Sequence, residues 1–296
     1  MRTQAAPSVQ PAAPVRWIAP CQLDGAWQMA IDAWLLEGPA AAKPASEVVP
    51  APAFRLYRWS RPTLSLGWHQ RRLEPHWCDL ARQGRLDLVR RPSGGRAVLH
   101  GGDLTYALVW PRPQGTRSAV YGRALVWLVE AFAALGQPLL CGSQAASLQR
   151  SSCFATSTVA DLVQANGAKR VGSAQLWRGG HLLQHGSIQL DPCPSLWREV
   201  FSGDPPELDP LPLAGQDLEQ HLYRSAARWL PLLAGGLAEG LAEGGHGGGD
   251  HDTCLPRVRP LSPAELAVIA RGLGCYRATL SVSRDTSPEL TMPRAT

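Results

Sequence analysis

Two turns, Asn166-Gly167 and Gly179-Gly180, cut the segment from Ser151 to Leu190 into short runs that strands can occupy. Asn-Gly is the strongest short-range hairpin signal, because both residues tolerate positive φ. A two-residue type I′ turn there sets Ala165 against Ala168, Gln164 against Lys169, Val163 against Arg170 and Leu162 against Val171. The Gly-Gly pair turns the chain again, so the segment reads as a three-stranded meander. Cys153 precedes its first strand, Lys169 and Arg170 open the second, and His181 and His185 lie in the third. Strand alternation expects one of Lys169 and Arg170 to face solvent.

The remaining chain is organised around this meander. Residues 1–16 are rich in Pro and Ala, lack periodicity and read as a disordered tail. Asp24 can cap a helix whose apolar residues Trp27, Ile31, Trp34 and Leu35 recur at helical spacing, and Gly38-Pro39 ends it. Phe54–Trp59 and Thr63–Trp68 read as strands paired around Ser60-Arg61-Pro62. A helix is expected over 73–83, followed by a strand over 86–91. Strands over 97–100 and 104–110 continue the sheet, and a helix over 119–135 puts Leu125, Leu128, Phe132 and Leu135 on one face. An acidic, proline-rich loop covers 203–215. One or two helices, interrupted near Pro231, follow over 218–241. Ser262-Pro263-Ala264-Glu265 is a capping box with Pro at the first helical position. The expected organisation is a catalytic domain over 17–200 and a C-terminal helical extension over 201–296, with a Gly-rich loop at 244–252.

Composition narrows the class of protein. The 296 residues suffice for a sizeable core. No apolar run approaches the length of a membrane helix, and no positive segment followed by an apolar stretch marks a signal peptide. Seven cysteines, irregularly spaced and without a CxxC pair, indicate neither a disulfide framework nor a zinc site. A reducing, cytoplasmic setting is the expectation. His246, Asp250, His251 and Asp252 sit among glycines that hold no fixed coordination geometry, so no metal is expected there. The net charge of +5 is not gathered into a basic run or helix, which argues against nucleic acid. A moderate positive field would also steer acidic protein partners.

Several residues carry chemistry. Arg90-Arg91-Pro92-Ser93-Gly94-Gly95 lies between strands. Adjacent glycines let backbone N–H groups approach a ligand, and arginines hold carboxylates or phosphates in a bidentate fork. The spacing is neither that of a P-loop nor that of a dinucleotide-binding fingerprint, and a bare turn is the other reading. Cys153 is either a thiolate nucleophile or a small buried apolar residue. Lys169 is either an ammonium that lowers a thiol pKa and stabilises an oxyanion or a solvated hairpin lysine. His100 and His185 are ligand-facing, proton-handling or structural.

Ordered motifs decide among these. Cys153-Phe154, the run from Lys169 to Gln175, and Gln184-His185-Gly186-Ser187-Ile188 resemble the biotin/lipoate protein ligase catalytic domain. So do the run from Arg90 to His100 and Asp103-Leu104-Thr105-Tyr106, in the same order over about 17–276. Within that superfamily the chain is most similar to the cysteine-dependent octanoyl-[acyl-carrier protein]:protein octanoyltransferases. It departs from the usual pattern at Gln28, commonly Asn, at Ser157-Thr158, commonly Pro-Ser, and at Asp161, commonly Glu.

The resemblance implies an α+β fold, with a mixed, mostly antiparallel sheet flanked by helices and a small C-terminal helical part. It implies Cys153 and Lys169 as catalytic residues. Arg90, Arg91, Ser93, Gly94, Gly95, His100, Gly172, Ser173, His185 and Gly186 are the implied substrate-binding residues. Octanoyl, or lipoyl, would pass from acyl carrier protein through a Cys153 thioester to a lysine. That lysine belongs to a lipoyl domain of a 2-oxoacid dehydrogenase or to the glycine-cleavage H protein. No cofactor is required for this route. The alternatives are a lipoate or biotin ligase using ATP and Mg²⁺ through an acyl-adenylate, and a non-catalytic binder of lipoyl proteins.

Overall fold

A computed structural model describes residues 14–38, 49–71, 73–142, 161–234, 255–277, 279–280 and 290–291. Its main sheet contains β1 (Arg16–Leu23), β2 (Ala53–Trp59), β6 (Asp103–Trp110), β7 (Leu140–Cys141), β8 (Leu162–Val163), β9 (Lys169–Arg178) and β10 (His181–Gln189). Their order is β1-β2-β6-β10-β9-β8-β7. Only β1 and β2 pair in parallel; the other neighbours are antiparallel. A second sheet, ordered β4-β3-β5, holds β3 (Thr63–Leu66), β4 (Asp87–Arg90) and β5 (Val98–His100), with β3 parallel to β4. This is the expected mixed, mostly antiparallel α+β architecture.

The chain alternates between faces of the main sheet as its hydrophobic pattern requires. From β6, Leu104, Tyr106, Leu108 and Trp110 enter a core with α3 (Arg117–Ala134) and α5 (Gly215–Ala234). Ala107 and Val109 point oppositely, into a core with α1 (Gly25–Glu37) and Ile269 of α6 (Pro263–Ala270). The small sheet packs Leu64, Leu66, Leu88 and Leu99 on α2 (Pro75–Arg82) and α4 (Pro194–Phe201).

Local signals explain the ends of these elements. Asp24 caps α1 by accepting from the Trp27 N–H, and Gly38 ends it at φ 72°. The Ser262–Glu265 capping box forms in both directions. Helix α5 runs through Pro231 without interruption to Ala234; the rest of the helical region expected to 241 lies outside the described residues.

Three further expectations change. The strands at 54–59 and 63–68 do not pair with each other, because the Ser60-Arg61-Pro62 turn carries the chain from one sheet to the other. The strand starting at Val98 likewise joins the small sheet rather than continuing the large one. The Asn166-Gly167 turn is not type I′. The Gly167 N–H reaches the Gln164 carbonyl and the Gln164 N–H the Ala168 carbonyl, while among the three loop residues only Gly167 has positive φ, 81°. That is a three-residue loop ending in a glycine bulge. Lys169 therefore pairs with Val163, although Leu162 still meets Val171. The two-residue positive-φ turn is Gly179-Gly180, at 56° and 79°.

Candidate active site

A small cavity of about 60 Å³ lies where the two sheets meet. Met29 of α1 and Tyr57, Trp59, Ala174 and Val98 form its apolar walls. Gly95, Gly172 and Gly186 bring backbone to its edge, and Ser65, His100, Thr105, Ser173, His185 and Ser187 add polar atoms.

Arg91 holds the Gly-rich loop from inside, and Arg90 ties it to the neighbouring 67–70 segment. Arg90 donates through Nη1 to the carbonyls of Gly67, Trp68 and Gln70. Arg91 donates to the carbonyls of Ser65, Gly94 and Arg96. Both side chains are buried, so these guanidiniums brace loop backbone. Arg91 also lines the cavity, whereas Arg90, Ser93 and Gly94 do not. Gly67 allows the close approach this bracing needs: a Cβ there would sit 1.9 Å from the Gly95 carbonyl oxygen.

Two hydrogen-bonded chains converge on the cavity. In one, Ser65 Oγ is 2.8 Å from His100 Nε2, and His100 Nδ1 is 2.7 Å from Asp103 Oδ2. Trp59 stacks on the His100 ring at 3.9 Å between centroids. In the other, Ser93 Oγ bonds His185 Nε2, and His185 Nδ1 is 2.8 Å from Asp32 Oδ2. Asp32 is also ion-paired with Arg55 at 2.8 Å, both side chains wholly buried, and accepts from the Tyr57 hydroxyl. Burial raises the Asp32 carboxyl, but Arg55 and His185 outweigh it and hold the group below the ordinary carboxylate value. Asp103 is likewise held low against its burial, by His100, Ser187 and the Gly101 N–H. Burial and then Asp32 push the Tyr57 hydroxyl well up, so it remains a donor.

Gly186 lies opposite Ser173 across the β9–β10 pair. A Cβ on Gly186 would come within 2.6 Å of the ring of Tyr106, whose hydroxyl is 2.8 Å from the Ser173 hydroxyl. Burial raises the Tyr106 pKa to about 12.

Lys169 and Arg170 depart from the alternation expected of them: neither faces solvent, with 3% and 1% exposure. The glycine bulge shifts Lys169, whose Nζ is 2.9 Å from Asp161 Oδ1 in a buried ion pair. Arg170 donates to the carbonyls of Gln189 and Asp209, the latter in the proline-rich loop that covers it. Lys169 is not among the cavity-lining residues. Cys153 lies outside the described residues, as do residues 244–252. The described cysteines, Cys21, Cys78, Cys141, Cys193 and Cys275, are free thiols. Among the described residues no His/Cys/Asp/Glu cluster is arranged to hold a metal, and no helix is long and apolar enough to cross a membrane.

Reading the sequence for sites missed Asp32, Arg55, Ser65 and Asp103. Two carried a signal. Asp32 is an acid amid the apolar residues of α1, where a charge must find a partner. Asp103 follows His100 by three residues across a glycine pair.

The sheet order and the cavity between the sheets define an α+β domain with an internal binding site. The family description "Lipoyl protein ligase A/B catalytic domain" matches residues 24–209, and the chain belongs to that family. Octanoyltransferase LipM of Carboxydothermus hydrogenoformans is 37% identical over 180 residues, 59% of this chain and 64% of that protein. Octanoyltransferase LipM of Kyrpidia tusciae is 39% identical over 152 residues, 47% and 55% of the two chains. The matched region thus spans less than two thirds of each relative's length. Among solved structures, lipoate-protein ligase A bound with ATP superposes with a TM-score of 0.59 at 16% identity, covering 88% of this chain and 94% of that one. A bi-partite lipoate protein ligase from Thermoplasma acidophilum, described with its E2 lipoyl domain, gives 0.57 at 14% identity, covering 88% and 92%. At such identities the likeness is one of fold.

Proposed function

We propose that this chain transfers an octanoyl group from acyl carrier protein to a lysine of a lipoyl domain or of the glycine-cleavage H protein, through a thioester on Cys153. The observation that carries the reading is the apolar cavity rimmed by the backbones of Gly95, Gly172 and Gly186. Apolar walls suit a medium-length acyl chain, and glycine backbone lets a reacting carbonyl approach N–H groups. The names of the relatives and the Cys153-Phe154 motif agree with it.

Exchange of one thioester for another is nearly isoenergetic, so the route needs no nucleotide. Lys169, buried beside Asp161 at the start of β9, is the proposed source of positive charge for the thiolate and the developing oxyanion. The arginines of the Gly-rich loop spend hydrogen bonds on six backbone carbonyls, which favours a braced acyl site over a phosphate clamp. The net charge of +5 suits an acidic carrier protein. The test compares two assays: octanoyl transfer from carrier protein to a lipoyl domain without nucleotide, and ATP–pyrophosphate exchange driven by free lipoate. Transfer alone is expected. Exchange with free lipoate and no transfer would establish the adenylate route instead, and binding of lipoyl domains without either activity would establish a non-catalytic protein.

A further inference from the structure

Aminolysis of a thioester has a requirement that a thiol and a lysine in the enzyme do not by themselves meet. The attacking ε-amine must shed a proton as its nitrogen bonds to the acyl carbon, or the intermediate returns to reactants. We propose, resting on the thioester reading above, that Ser65, His100 and Asp103 form the proton acceptor for the incoming amine.

The hydrogen-bond partners are arranged for such a relay. Asp103 is ionised, so the 2.7 Å contact places a proton on His100 Nδ1. Ser65 Oγ accepts from Arg91 Nη1 at 3.3 Å and lies 2.8 Å from His100 Nε2; the proposed acceptor is the tautomer in which the serine donates to that nitrogen. In the proposed acceptor, His100 Nε2 faces that hydroxyl and Nδ1 faces Asp103. Ser65 and His100 both line the cavity. Asp103 is buried and further fixed by the Ser187 and Thr105 hydroxyls at 2.6 and 3.1 Å and by the Gly101 N–H at 3.1 Å. Among the described residues it has no lysine or arginine in ion-pair contact, so its negative charge is available to a proton arriving on His100.

The step balances. The amine lone pair forms the C–N bond and the C–S pair leaves on sulfur as thiolate. The amine proton passes to Ser65 Oγ as the serine proton passes to His100 Nε2. The imidazolium then releases its proton to solvent, from which the thiolate is reprotonated, restoring both groups.

The chain in which His185 bridges Ser93 and Asp32 does not fit this role. Ser93 is fully buried and does not line the cavity, and Arg55 already compensates the Asp32 charge.

The experiment separates the half-reactions. Enzyme is loaded from octanoyl-carrier protein, freed of donor and mixed with a lipoyl domain, and both rates are followed by intact mass. His100→Gly and His100→Gln are expected to release octanoyl to lysine about 10²–10³-fold more slowly, a far larger loss than any they cause in loading. Added imidazole is expected to restore release in His100→Gly. Asp103→Asn is expected to behave like His100→Gln, and Ser65→Ala to lose less. The proposal is overturned if release in the His100 variants stays within about threefold of wild type, or if loading falls in step with release. A wild-type enzyme that never loads would instead sink the thioester reading beneath it.

Discussion

The two serine–histidine–aspartate chains share a cavity and a hydrogen-bond order, yet they differ in the surroundings of the carboxylate. Asp32 meets a buried guanidinium, a tyrosine hydroxyl and an imidazole, and joins α1, β2 and β10 at one point. Asp103 meets hydroxyls, a backbone N–H and one imidazole. Charge compensation makes the first a brace. Its absence leaves the second able to stabilise a proton that comes and goes. Identical residue types in identical order therefore support different roles, and the neighbouring cation distinguishes them.

Breaking the brace tests this contrast most severely. Arg55→Met strands a buried carboxylate and is expected to destabilise the fold by about 3–5 kcal/mol in urea unfolding. A loss below about 1 kcal/mol would mean that the Asp32 site is not an ion-paired brace. His185→Ala leaves Ser93 and Asp32 each short of a partner and should cost about 1–3 kcal/mol. His100→Gly should show the opposite balance, with the larger loss in amine acylation.

Acid should weaken both chains. Their carboxyls sit below the unfolded value of about 3.9, so between the two values only the unfolded chain takes up protons. Stability from these groups is present above about pH 4 and falls as pH drops through the native values. The stability gap between wild type and Asp103→Asn should narrow below about pH 4, and a constant gap would contradict the shift. Ser262→Ala, remote from both chains, should cost about 1 kcal/mol through the lost cap and leave transfer unchanged.

Much of this architecture was legible in the residues. Asp24, Gly38 and the Ser262 capping box announce helix ends through local hydrogen bonds, and local chemistry survives folding. Strand partners were less legible. Ser60-Arg61-Pro62 looks like a hairpin turn, but which sheet receives Thr63–Leu66 depends on contacts with residues 87–90 and 98–100. The Asn-Gly turn shows the same limit: the dipeptide marks a reversal, while tertiary fit chose a three-residue loop and moved Lys169 by one register position. Within the site, the glycine-rich and His185 motifs stood out as runs. The partners Asp32 and Ser65 come from other elements, so no single stretch of sequence displays either chain whole.

The most direct measurement is intact mass of the enzyme after incubation with octanoyl-carrier protein without nucleotide. One octanoyl adduct, mapped to Cys153 and discharged by a lipoyl domain, is the expected result. An adduct-free wild type, or a Cys153→Ala protein that still acylates the lipoyl domain, would contradict the account.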